Sequence, residues 1–124
     1  MSNLNEKLPI YIRIEEGMKD AILDGRLKEE SQIPSTTYLS KEFNINIATI
    51  NKAIGFLVDE GLVYKKRGIG MFVKKGAKDK LIAERKKVFK ELYIKATLQE
   101  AKKLDIGVEE LQQIVNEAFN EINK

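Results

Sequence analysis

Apolar residues recur at steps of three and four through Ile10, Ile14, Met18, Ala21 and Ile22, the spacing that collects side chains on one face of a helix. Pro9 suits a helix start and Asp24-Gly25 a stop, so the pattern predicts a helix over 10–24. Arg13, Glu16, Lys19 and Asp20 fall on its other sides. A second, short helix is expected from Pro34-Ser35-Thr36, with Ser35 capping the free N–H groups of its first turn. Leu39 and Phe43, four apart, are expected on its buried face. Asn44-Ile45-Asn46 breaks the period and reads as a turn. A third helix follows over about 47–60, with Asn46 as its cap, Ile50, Ala53, Ile54 and Leu57 as its inner stripe, and Gly61 at its C-terminus. Two helices joined by a three-residue turn have the spacing of a helix-turn-helix, although such a pair can also be purely structural.

The period then changes. Leu62-Val63-Tyr64 and Met71-Phe72-Val73 are short β-prone runs. Between them lie Lys65-Lys66-Arg67-Gly68-Ile69-Gly70, whose glycines permit the turn conformations of a hairpin tip. A hairpin directly after a helix-turn-helix is a wing, and three adjacent cations on it have a physical reason beside phosphates.

From about 79 to 104 the pattern is helical again. Ile82, Val88, Phe89, Leu92 and Ala96 form one stripe, and Ile94, Leu98 and Ala101 start a second. A helix that is apolar on two sides must be covered on two sides. The last helix, about 108–122, places Val108, Leu111, Val115, Ala118 and Ile122 at 3-4 spacing, with Ile114 and Phe119 alongside. Such a helical hairpin is too small to fold alone. The expected organisation is therefore a winged helix-turn-helix domain over 1–76 and a two-helix dimerisation tail over 77–124. The fold class is mostly α with one small β-hairpin. Ile82, Val88, Phe89, Leu92, Leu111, Val115 and Phe119 are the candidate dimer contacts, against the alternative of a monomer whose tail folds back on its own domain.

Charge sharpens this picture. The net charge of +3 conceals a balance of about +10 over residues 61–103, flanked by acidic stretches on either side. A concentrated positive zone suits a polyanion, and equally a solvated helix face. The chain has no cysteine and no histidine. That excludes disulfides, thiol nucleophiles, imidazole bases and the usual zinc sites. No catalytic motif accompanies the carboxylates, so no enzyme activity and no cofactor are expected. No run of about 18 apolar residues points to a membrane span. The start, MSNLNEKLPI, lacks the features of a signal peptide, and the chain is expected in the cytoplasm.

With these elements in place, residues 8–73 resemble the GntR family of bacterial transcription regulators. The matching pieces, in order, are PIYIRI at 9–14, AILDGRL at 21–27, IPS at 33–35, LSKEFNINIATINKAIGFLVDEGLV at 39–63 and GIGMFV at 68–73. The remainder is similar to the short helical tail of the YtrA subfamily, through AKDKLIAERKKVFKELYIKATLQEAKKLDIGVEEL. The resemblance implies a transcription regulator, usually a repressor, that binds a palindromic operator as a homodimer. The chain departs from the family at several positions. Thr37 stands where arginine is common in the Pro-Ser motif, Ile47 where many members carry arginine, and Ala48 where the subfamily often has asparagine. Gly55, Phe56 and Val58 replace usual polar residues. Phe56 is read as packing against the long helix.

A recognition helix from Asn46 would lie in the major groove with its first residues at the base edges. Asn46, Ala48, Thr49, Asn51 and Lys52 are its candidate readers. Asn51 suits adenine, Lys52 a guanine or a phosphate, and Ala48 and Thr49 a thymine methyl, a set that favours A/T-rich half-sites. Ser35 and Thr37 open the second helix toward a phosphate. Lys65, Lys66, Arg67, Gly68 and Gly70 would follow the DNA backbone or minor groove. Lys78, Lys80, Arg85, Lys86, Lys87 and Lys90 continue the positive zone on the long helix; its first turns leave the wing directly and could add phosphate contacts, against a solvated surface, which is the expected reading beyond Arg85. A winged-helix module for protein or RNA is the competing reading. A small-molecule effector stays open, since the tail has little room for a pocket of about 300 Å³ unless an interface forms one.

Overall fold

The computed structural model describes residues 7–124. The first six residues of the stretch read for a signal peptide lie outside them. The chain divides into two compact units, one ending at Ala83 and one spanning Glu84–Lys124.

The first unit opens with α1 (Ile10–Leu23). The Pro9 carbonyl accepts from the N–H groups of Ile12 and Arg13, both at 3.1 Å, so proline starts the helix without forfeiting a bond of its own. Helices α2 (Thr36–Phe43) and α3 (Ile47–Asp59) follow. Asn44, in the left-handed region at φ 52°, turns the chain between them, and the Ser40 hydroxyl ties the turn by donating to the Ile45 carbonyl at 2.6 Å. Helix α3 stops as the sequence predicts. Gly61 takes φ 74°, and Leu62 N–H reaches back to the Leu57 carbonyl at 2.9 Å, which closes the helix C-terminus with two further carbonyls satisfied.

Strands β1 (Val63–Lys66) and β2 (Gly70–Val73) form the expected antiparallel hairpin, with Val63 opposite Val73 and Lys66 opposite Gly70. The strands run closer to the tip than the β-prone runs alone indicate, leaving Arg67-Gly68-Ile69 as the turn. On its other edge β2 pairs with residues 30–33, through Glu30 N–H to the Val73 carbonyl at 2.8 Å and Ile33 N–H to the Met71 carbonyl at 2.9 Å. This segment carries no periodic signal because it is short and ends at Pro34.

The core joins the inner stripes of α1 and α3 to the hairpin. Ile22, Ile50, Leu57, Leu62 and Val73 are almost fully buried. Ala77 and Leu81 belong to the same cluster. Helix α4 (Ala77–Val88) therefore begins inside the first compact unit, which runs to Ala83. Its first turn is capped from afar: the Glu29 carboxylate accepts from Lys78 N–H at 3.0 Å. Bonds from Gly76 and Lys78 N–H hold the Glu29 carboxyl below the usual range. Ile82 of the expected dimer set thus lies in the winged unit.

Two expectations from the helical projections are corrected. Lys19, placed among the outer polar residues of α1, is buried. Its Nζ lies 3.2 Å from Glu15 Oε1 and 2.9 Å from Glu60 Oε2 at the end of α3, so the ammonium fastens the two helices. Phe43 of α2, expected inside, is 63% exposed, and no residue of α2 is buried. Its ring faces an open groove rather than a closed core.

In the second unit the helical backbone continues past Val88 through a π-helical segment, Phe89–Ile94, into α5 (Lys95–Lys103). The flanking residues Val88 and Lys95 keep right-handed helical dihedrals, so there is no break. The wider π turn advances the face reached by each following residue, which accounts for the change of apolar stripe near Ile94. Asp105, at φ 57°, closes α5 with Ile106 N–H on the Ala101 carbonyl at 2.9 Å. Helix α6 (Val108–Ile122) follows. Within Glu84–Lys124 only Ala101 is buried, and Leu111 is half-buried. Val88, Phe89, Leu92, Val115 and Phe119 all stand exposed.

Candidate nucleic-acid interface

The N-termini of α2 and α3 each carry a side-chain cap. Ser35 Oγ accepts from Tyr38 N–H at 3.0 Å, and Asn46 Oδ1 accepts from Ala48 N–H at 2.8 Å. Both candidate contacts are thus engaged in capping. Ser35 retains its hydroxyl hydrogen and Asn46 its amide N–H₂, and both remain donors. Thr37, Ala48, Asn51 and Lys52 are exposed and Thr49 is half-buried. Asn51 makes no side-chain hydrogen bond among the described residues and offers its amide freely.

Lys52 is placed otherwise than a free reader. Its Nζ lies 4.0 Å from the centre of the Tyr11 ring, and that ring stacks on Phe56 at 5.6 Å. Phe56 thus meets a ring of α1. The aromatic pair holds the ammonium near α1, and a reach to DNA competes with this contact.

The wing cations divide. A strand alternates its faces, so Lys65 shares the face of buried Val63 while Lys66 shares that of Tyr64. Tyr64 stacks on Phe72 at 6.0 Å, and Lys66 Nζ sits 4.4 Å over the same Phe72 ring. Lys65 and Arg67 are exposed with no ion pair among the described residues. Gly68 takes φ 78° and Gly70 φ 147°, conformations that L side chains rarely adopt. At Gly70 an added Cβ would lie 2.5 Å from Gln32 Nε2, the group that donates to the Ile69 carbonyl at 3.1 Å. Both glycines thus shape the tip. On the long helix, Lys80 Nζ donates to the Glu60 carbonyl, which gives it a structural task at the end of α3.

Two further residues on these elements face outward without a signal in the sequence. Tyr38, in the first turn of α2, is 56% exposed, and Ile69, between the wing glycines, is 64% exposed. An aromatic phenol and an aliphatic tip are legible only once the turn geometry shows that they face outward. No helix of the described residues is long and apolar enough to cross a membrane.

Residues 10–73 match the family of bacterial regulatory proteins described as the gntR family. The YtrA transcriptional repressor of Bacillus subtilis is 29% identical over 109 residues, covering 88% of this chain and 83% of the relative. That match is too long to stop at the wing and takes in part of the tail. The chain spans only 31%, 16% and 31% of the lengths of three further curated regulators. Among solved structures, a GntR-family regulator from Bacteroides thetaiotaomicron is 32% identical with a TM-score of 0.73, over 91% of this chain and 98% of that one. The DNA-binding domain of AraR in complex with operator ORX1 is 36% identical with a TM-score of 0.53, over 59% of this chain and 86% of that one. By the length and order of these matches, the chain belongs to the gntR family of bacterial regulatory proteins.

Proposed function

We propose that this protein is a transcription regulator, in the repressor mode of the relatives above, that binds double-stranded operator DNA as a homodimer. It acts in the cytoplasm and has no catalytic role. One observation carries the DNA reading. The capped, outward N-terminus of α3, with Ala48 and Asn51 exposed, sits in a fold shared with an operator-bound domain at 36% identity. In such a fold the first turn of the recognition helix enters the major groove. Asn51 is the adenine reader. Ser35, Thr37, Lys65 and Arg67 contact the phosphate backbone, with Gly68 and Gly70 shaping the wing tip beside it.

The dimer reading rests on the second unit. The 41 residues of Glu84–Lys124 bury little more than Ala101 and do not hold themselves together. The faces carrying Val88, Phe89 and Leu92 on the long helix and Val115 and Phe119 on α6 are the surface a second copy covers, with Leu111 beside them. The winged domain of 1–76, extended by the first turns of α4, is the reading head, and the remainder of 77–124 joins two heads.

Selection of binding sites from random duplexes, followed by titration with competing RNA, tests the function. The expected result is a palindrome with A/T-rich half-sites that RNA does not displace. Equal affinity for RNA, or no selected sequence at all, overturns the reading.

A further inference from the structure

A groove of about 370 Å³ opens between α1, α2 and the start of α3, wholly within the first unit. Its walls are Ile14 and Gly17 of α1, Leu39 and Phe43 of α2, and Ile50 of α3. Its volume falls in the range of small-molecule sites, about 300–1,000 Å³. The lining is apolar with one charged group, Arg13, which is exposed and carries no ion pair among the described residues.

Two features set this groove apart from an ordinary gap in packing. Phe43 is 63% exposed although its period marks it for the interior. Gly17 occupies the middle of α1, where glycine costs about 1 kcal/mol against alanine. An added Cβ at Gly17 would meet nothing within 4 Å. Packing sets no limit on a side chain at 17, and one longer than alanine would extend into the groove that Gly17 lines.

We propose that this groove is an effector site for an apolar monocarboxylate, with an alkyl or aryl body between α1, α2 and Ile50 of α3 and the carboxylate on the Arg13 guanidinium. Guanidinium and carboxylate match in charge and in planar geometry. The occupant touches both helices of the helix-turn-helix at once. It therefore bears on the angle between the two helix N-termini that face DNA, and linkage makes the effect mutual. The regulatory half of the proposal rests on the DNA-binding reading; the binding half does not.

Isothermal titration of the full chain with octanoate, octan-1-ol and octylamine tests the site without DNA. Saturable octanoate binding at one site per chain is expected, tighter than octanol and with no binding of octylamine. Arg13→Gln should weaken octanoate by about fivefold and leave octanol nearly unchanged, the size of one part-exposed ion pair. Gly17→Leu should abolish binding of both, with a thermal melt showing that the variant folds. Absence of saturable binding, or binding that Gly17→Leu leaves intact, overturns the site. Octanoate affinity that falls as protein concentration rises assigns the groove to a second copy and overturns it likewise. In a separate titration with selected operator DNA, saturating octanoate should shift affinity at least about threefold in the wild type and not in Gly17→Leu. An unchanged affinity there removes the effector role, while failure to bind any DNA would fall on the function proposed above.

Discussion

At the scale of single residues, Lys19 is the group on which the junction of α1 and α3 depends. Burial alone would lower its pKa, but hydrogen bonds to Glu60 and Glu15, with their charges, outweigh this and raise it. Lys19→Met leaves the carboxylates of Glu15, Glu16 and Glu60 without this ammonium. The expected loss is about 2 kcal/mol in urea unfolding, below that of a fully buried pair because Glu60 is partly solvated. Glu15 behaves differently. Desolvation holds its carboxyl above the usual range despite the bond to Lys19. The folded state then binds more protons than the unfolded one, so this group's contribution is fullest at low pH and is lost as pH rises through its raised value. Relative to the wild type, Glu15→Gln should gain stability between about pH 4 and pH 6. A difference that stays flat, or moves the other way, across urea midpoints in that interval contradicts the assignment. Nothing in the helical period marks these residues as buried; only the approach of Glu60 makes the site.

At the scale of elements, the helices and the hairpin were legible because their signals are local. Pro9, Ser35, Asn46 and Gly61 act on backbone groups within a few residues, and the observed ends fall within a residue of those expected from them. The wing was legible as a basic hairpin, but the division of its cations was not. Lys66 lies over Phe72 and Lys65 belongs to the opposite face. For DNA binding, each neutralised phosphate contributes about 0.9 to the slope of log affinity against log salt. Lys65→Gln and Arg67→Gln should each lower the slope by about that amount, and Lys66→Gln by clearly less. Equal losses at all three positions would show that DNA draws Lys66 off its ring. The π segment was likewise invisible as such, though its consequence, the second apolar stripe, stood in the sequence.

At the scale of the whole molecule, the proposed assembly rests on the exposed apolar faces of residues 84–124. Leu92→Glu or Phe119→Glu places a charge where the proposed partner packs. Sedimentation should show a monomer at concentrations where the wild type is a dimer. Affinity for a full palindrome should fall by about 10²-fold or more, while a single half-site is bound as before. A wild type that sediments as a monomer would refute the assembly outright. Footprints of the wild type should show half-sites one helical turn, about 34 Å, or a multiple apart.

What the sequence by itself determined are the properties written in neighbouring residues. These are the helix faces, their caps, the glycine-shaped wing, the family pattern over 10–73 and the surplus of apolar stripe in the tail. Each follows from backbone sterics or from periods of a few residues. The tertiary structure alone decided which polar groups lost their water, as with Lys19 and Glu15. It also decided which cations found a ring or a carbonyl, as with Lys52, Lys66 and Lys80, and where packing stopped short. The groove beside Gly17 is of that last kind. Its walls are drawn from positions up to 40 residues apart, Ile10 to Ile50, and a void is a property of how elements meet rather than of any one of them.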